Sequence, residues 1–158
     1  MSMLSSVLFV VFAFGVQDHQ STDRSATAMG FDQEKTAHHF LLYADGGAIE
    51  IAVKDASDTK DRDAIRSHLP HITMMFGDGD FDVPMLVHDT KDVPGAAVLS
   101  ARKEAVTYRY RETPQGGRVD ITTTDADALR ALHAFLRYQI QEHHTADSGA
   151  VELRKQQR

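Results

Sequence analysis

His68, His71 and Met75 follow one another at steps of three and four residues. On a helix turning about 100° per residue they fall within about 60° of one another. Two imidazoles and a thioether on one helix face form a ligand set that suits copper, Cu(I) above all. Met85 and His88, further along the chain, carry the same donor types and could close such a site from a second segment. The competing reading is packing, because His and Met at the border of a core often only fill space. The ligand therefore stays open, with copper as the one cofactor that the residue types suggest.

Both readings depend on a helix running from about Thr59 or Lys60 to Phe76. Ile65, Leu69, Ile72 and Phe76 give it a stripe at i, i+4, i+7 and i+11, the spacing of one buried face. Pro70 should kink or open it, and Gly77 with Gly79 should end it. Before the helix, His38–Tyr43 reads as a strand. Asp45-Gly46 signals a two-residue hairpin turn, which places Leu42 opposite Ile49, Phe40 opposite Ile51 and His38 opposite Val53. His38 and His39 are neighbours on that strand, so their rings face opposite sides and make a poor chelate.

The chain then repeats itself. Gly46-Gly47 recurs as Gly116-Gly117 and Ile49-Glu50-Ile51 as Val119-Asp120-Ile121, while Ala64-Ile65-Arg66 recurs as Ala128-Leu129-Arg130. The second hairpin should turn at Gln115-Gly116, pairing Tyr110 with Ile121 and Arg111 with Asp120. The second helix should start near Thr124 or Asp125 and carry Leu129, Leu132, Leu136 and Ile140. The repeat sets His68 on Leu132, His71 on Phe135 and Met75 on Gln139. Residues 78–103 have no counterpart and read as an irregular crossing with a short strand at Met85–His88. An internal repeat of this kind is the main constraint on architecture. It predicts an α+β fold: a tandem ββα repeat forming one four-stranded antiparallel sheet with two helices on one face. The other face, with Leu41, Tyr43, Arg109 and Arg111 beside Glu50 and Asp120, is the candidate partner-binding surface.

Other features narrow the class. A net charge of −6 without a basic run argues against a nucleic-acid partner. The absence of cysteine excludes disulfides and thiolate chemistry. Asp78-Gly79-Asp80-Phe81-Asp82 resembles the start of a calcium loop, but Val83 and Asp89 stand where such a loop needs Gly and Glu. No Gly-x-Ser-x-Gly elbow or glycine-rich phosphate loop occurs, so no catalytic residue is assigned. Leu4 to Val16 is an apolar run too short for a confident span and suited to an export signal. The chain thus divides into a signal peptide at 1–16, a polar flexible tether at 17–36, one domain at 37–145 and a polar, fraying tail at 146–158. The domain splits into repeat one at 38–77, the crossing at 78–103 and repeat two at 104–142.

The segments FDQEKTAHHFLLYADGGAIEIAVKD, RDAIRSHLPHITMMF, PMLVH and RVDITTTDADALRALHAFLRYQI resemble a family of short bacterial exported proteins of unknown function, over roughly Phe31 to Ser148. Some of those relatives bear an aspartate carbamoyltransferase label, which this sequence does not support. Such a subunit resembles two α/β domains with a Ser-Thr-Arg-Thr phosphate motif that is missing here. The expectation is a small exported, periplasmic or secreted, non-enzymatic binding protein of unknown ligand, with copper as the candidate. The alternative is a protein-interaction module or homodimer using the exposed face and edges of the sheet. An enzyme ranks third, since no motif supports it. No stable membrane span is expected after processing.

Overall fold

A computed structural model describes residues 29–154. The export signal and residues 17–28 of the tether lie outside the described residues. The fold is α+β, with a four-stranded antiparallel sheet and four helices. Strands β1 (Thr36–Tyr43) and β2 (Gly46–Val53) form one hairpin, and β3 (Val106–Thr113) and β4 (Gly116–Thr123) form the other. The sheet order is β1-β2-β4-β3, so the return strands of the two hairpins meet at its centre. Helices α1 (Thr59–Gly77), α2 (Asp82–Val87), α3 (Ala96–Ala101) and α4 (Ala126–Glu142) complete it. Among the described residues, no helix is long and apolar enough to cross a membrane.

Alternation along the strands places Phe40, Leu42, Ile49, Ile51, Val119 and Ile121 in a core shared with α1 and α4. The register differs from the sequence expectation. Phe40 stands opposite Ile49, and Tyr110 opposite Val119. The turns are Ala44-Asp45 and Pro114-Gln115, and none of these four residues has a positive φ. Pairing therefore moves by two residues, which preserves the period-two alternation and leaves every side chain on its expected face. The glycines serve a different need. A Cβ on Gly46 would lie 2.0 Å from the Ile121 carbonyl oxygen, and one on Gly116 would lie 2.1 Å from that of Ile51. Only glycine allows β2 and β4 to approach this closely.

Helix α1 runs continuously through Pro70 and buries Ile65, Leu69, Ile72 and Phe76. Near the break in its ladder, the Thr73 hydroxyl donates to the Leu69 carbonyl at 2.7 Å. Helix α4 is capped by Asp125, whose carboxylate accepts from the Asp127 and Ala128 amides at 2.9 and 2.8 Å. Its buried stripe is Ala128, Ala131, Leu132, Phe135, Leu136 and Gln139. Leu129 and Ile140 lie only half-buried on its flanks.

Residues 78–103 hold the helices α2 and α3 rather than a short strand. Pro84 is third in α2, where a missing amide hydrogen costs no helical bond. Phe81, Val93 and Leu99 anchor this crossing in the core. The expected tether likewise ends early, with Met29 and Phe31 buried in that core. Beyond α4 the chain is held in place instead of fraying. The Asp147 carboxylate accepts from the Phe40 amide at 2.9 Å, the Glu152 amide donates to the Leu42 carbonyl at 2.9 Å, and the Ala44 amide donates to the Glu152 carbonyl at 3.1 Å. These bonds occupy the open edge of β1, which would otherwise present unpaired backbone groups.

The close approach of β2 and β4 can be measured. Gly46→Ala and Gly116→Ala should each destabilise the fold by at least about 2 kcal/mol in urea titrations, since backbone must move to admit the methyl. Gly77→Ala, where a Cβ meets nothing within 4 Å, should be neutral or mildly stabilising.

Candidate functional site

A cavity of about 70 Å³ opens between the sheet and the helices, and four histidines line it. His38 comes from β1, on the core side with Phe40 and Leu42. His68 comes from α1. His88 and His143 are the residues that cap the C-terminal ends of α2 and α4. Gln139 and Met29 also line the cavity, and most of the remaining wall is hydrocarbon. The His38 and His143 rings stack with centres 5.1 Å apart, and the His88 ring stands edge-on to His143 at 5.2 Å. Phe31 packs edge-on against His68 at 5.6 Å.

Burial governs the electrostatics. It pushes His38 down to about 4, helped by His39, His68 and Lys54. It pushes His68 down to about 4, helped by His71. It pushes His143 down to about 3, helped by His38, His88 and His144. All three rings are therefore neutral at pH 7, with basic nitrogens available. The His88 Nε2–H donates to Gln139 Oε1 at 3.0 Å, and its Nδ1 lies 3.7 Å from Glu142 Oε2. Two polar atoms here are buried without a partner, His38 Nε2 and Gln139 Nε2. A buried polar atom left unpaired costs about 1–3 kcal/mol.

The set read from the sequence is partly gathered here. His68 and His88 reach the cavity, whereas His71 is exposed, and Met75 and Met85 do not line it. Helix geometry explains this. The stripe Ile65-Leu69-Ile72-Phe76 points into the core. His68 borders the stripe, Met75 lies about 90° from its centre and His71 about 130° away. His143 and Gln139 escaped the sequence reading, which weighed His38 only as a poor chelate with His39. The signal was present: Leu132, Leu136, Gln139 and His143 are spaced i, i+4, i+7 and i+11, so two polar residues continue an apolar stripe. Among the described residues, no group of three or more His, Asp or Glu side chains is placed to hold a metal ion.

The outer sheet surface carries a separate network. Arg118 donates to Tyr43 at 3.0 Å, to Glu50 at 2.9 Å and to Asp120 at 2.9 Å. Burial opposes its charge, but the hydrogen bonds to Tyr43, Glu50 and Asp120 outweigh that and raise its pKa further. Arg154 lies over the Tyr43 ring at 4.4 Å and pairs with Asp45 and Asp120. Of the expected partner-binding residues, Leu41, Tyr43 and Arg111 line a groove beside this network. Arg109 stands exposed on β3.

No family model, curated protein or solved structure matches this chain.

The depressed histidines set a pH dependence. The unfolded chain takes up these protons near pH 6.5, and the folded chain only near 4 or 3. Between those values the unfolded state holds more protons, so stability rises with pH. Stability should be full above pH 6.5 and fall on acidification toward pH 4, with a limiting slope of about 4 kcal/mol per pH unit for three groups. Urea titrations between pH 7.5 and 4.5 in the presence of chelator measure it. His38→Phe and His143→Phe should each flatten the curve.

Proposed function

We propose that this chain is a small, exported, non-enzymatic binding protein whose ligand occupies the histidine-walled cavity. One observation carries the reading. Imidazoles from four separate segments and the Gln139 amide converge on one cavity, and two of their polar atoms are buried with no partner. A sequence that needed only stability would place hydrocarbon there. The volume bounds the ligand, because about 70 Å³ is well below the roughly 150 Å³ cavity that holds benzene. Binding is favoured over catalysis because no carboxylate, hydroxyl or thiol side chain is among the residues that line it. Export is supported by the apolar run Leu4–Val16 followed by polar Gln17-Asp18-His19. A partner-docking reading of the outer sheet face has less support, because Arg154 covers Tyr43 and Glu152 occupies the edge of β1.

Native mass spectrometry of untagged protein from its own cells tests this. Wild type should carry a small adduct, and the variant His38→Phe with Gln139→Leu should lose it while gaining stability. A bare wild type whose filled variant is merely more stable would sink the reading, leaving the cavity to water.

We further read the architecture as a tandem ββα duplication with α1 and α4 on one face of the sheet. The β2–β4 register supports it: Gly46 pairs with Thr122, Ala52 with Gly116, and Ile49 with Val119 at the midpoint. Those pairs interchange under the same shift that relates Gly46-Gly47 to Gly116-Gly117. If a twofold axis passes through that midpoint, the exchange Ile49→Val with Val119→Ile should cost under about 0.5 kcal/mol. Unrelated surroundings would add a cavity to an overpacked site, costing about 2 kcal/mol or more in denaturant titrations.

A further inference from the structure

We infer that the free edge of β3 is a docking site for an extended acidic segment of a partner protein, laid beside β3 as a further strand. The site is separate from the cavity and does not depend on what fills it.

The two hairpins share one register. Thr36 to Tyr43 pairs with Val53 to Gly46, and the same positions shifted by 70, as 106 − 36, pair Val106 to Thr113 with Thr123 to Gly116. Backbone groups that point away from the neighbouring strand therefore fall at equivalent residues. On β1 they belong to Phe40, Leu42 and Ala44, which bond to Asp147 and Glu152. On β3 they belong to Tyr110 and Glu112, with Tyr108 two residues earlier. Pro114 stands in the place of Ala44 and has no amide to offer. β3 is the last strand in the sheet order. Among the described residues, no hydrogen bond reaches the Tyr108, Tyr110 or Glu112 backbone from outside the sheet. One edge is filled by the chain's own C-terminal segment, and its counterpart is open.

Charge selects the occupant. Arg109 and Arg111 lie two residues apart on the outer face, Arg109 exposed and the Arg111 side chain 38% exposed. Asp120 is the cross-strand neighbour of Arg109. Its carboxylate is held by Arg111, Arg118 and Arg154, which leaves Arg109 without an ion pair among the described residues.

A second copy of this chain fits poorly. Residues opposite each other in antiparallel strands share a face, so pairing centred on Tyr110 sets Arg109 against Arg111. Pairing centred on either arginine sets it against itself, and like charges directly opposite destabilise. Charges on an edge strand serve to block such self-pairing. The same two charges attract a strand that carries Asp or Glu at alternate positions. Their spacing of two residues is the period of a strand, so such a segment meets both in either direction. Its intervening residues fall on the α1 side, beside the half-buried Tyr108 and Tyr110, where β-branched side chains pair well with aromatic rings. Main-chain bonds would supply affinity and the alternating side chains specificity. The filled edge shows the same chemistry, since the segment on β1 presents the Asp147 carboxylate to the Phe40 amide.

The test uses a short capped peptide that alternates Glu with Val, followed by amide hydrogen exchange on the full chain. In the free protein the Tyr110 amide should exchange quickly and the Phe40 amide slowly. The peptide should protect the Tyr108 and Tyr110 amides, and added salt should weaken it. Arg109→Glu should weaken binding by at least about fivefold. A peptide alternating Lys with Val, or the Glu peptide with N-methylated backbone, should not bind. The inference is overturned by a Tyr110 amide already slow in the free protein, by no protection of β3 at about 1 mM peptide, or by equal binding of the Lys or N-methylated peptide. Protection at β1 in place of β3, or dimerisation of the protein alone through β3, also overturns it.

Discussion

The contact between β2 and β4 is the constraint on which the other elements depend. Each hairpin turns within itself, and the two are joined along the β2–β4 pairing, where the backbone leaves no room for a Cβ at Gly46 beside Ile121 or at Gly116 beside Ile51. Any side chain at either glycine would force the central strands apart. With both glycines in place, Ile49 and Val119 face each other at the midpoint, at 7% and 0% exposure. Helix α4 is then fastened to the first hairpin. The His133 Nε2–H donates to the carbonyls of Tyr43 and Gly46 at 2.9 and 3.0 Å. The crossing is pinned in a similar way, since a Cβ on Gly95 ahead of α3 would lie 2.0 Å from the Ala131 carbonyl oxygen.

The cavity is one of several polar departures in a mostly apolar interior. Away from it the long helices bury hydrocarbon apart from Asp61 and His133, and beside it they and the C-cap of α4 present His68, Gln139 and His143. The cost is felt in two ways. Unpaired polar atoms weaken the folded state, and rings that resist protonation make it acid-sensitive. Proteins concentrate such costs at sites that do something other than fold. The position of the cavity fits that view, where β1, the segment around Met29 and the C-terminal ends of α2 and α4 meet.

The C-terminal segment shows how the edge of a small sheet is managed. β1 would leave the Phe40 amide, the Leu42 carbonyl and the Ala44 amide open to another chain. Asp147 and Glu152 occupy these groups, and Arg154 reaches across to Asp45 and Asp120. Composition alone marks this stretch as polar and uncommitted. Its order comes from a carboxylate and a few backbone groups, which leave no periodic pattern.

Local signals determined much of the fold. Alternation in His38–Val53 and Tyr108–Thr123, the stripe from Ile65 to Phe76, and the capping carboxylate of Asp125 each act within a few residues and were legible in order. The α+β class and the single antiparallel sheet follow from them. Tertiary structure decided what depends on distant partners. Glycine pairs that look like turn residues serve a contact with a strand 70 residues away, so each hairpin register differs by two while its faces are unchanged. His68 and His88 were legible as donors, but their company was not. His38 and His143 lie 105 residues apart, as 143 − 38, and become neighbours only when β1 packs beside the end of α4. Periodicity places a residue on a face, and only packing places two faces against the same space.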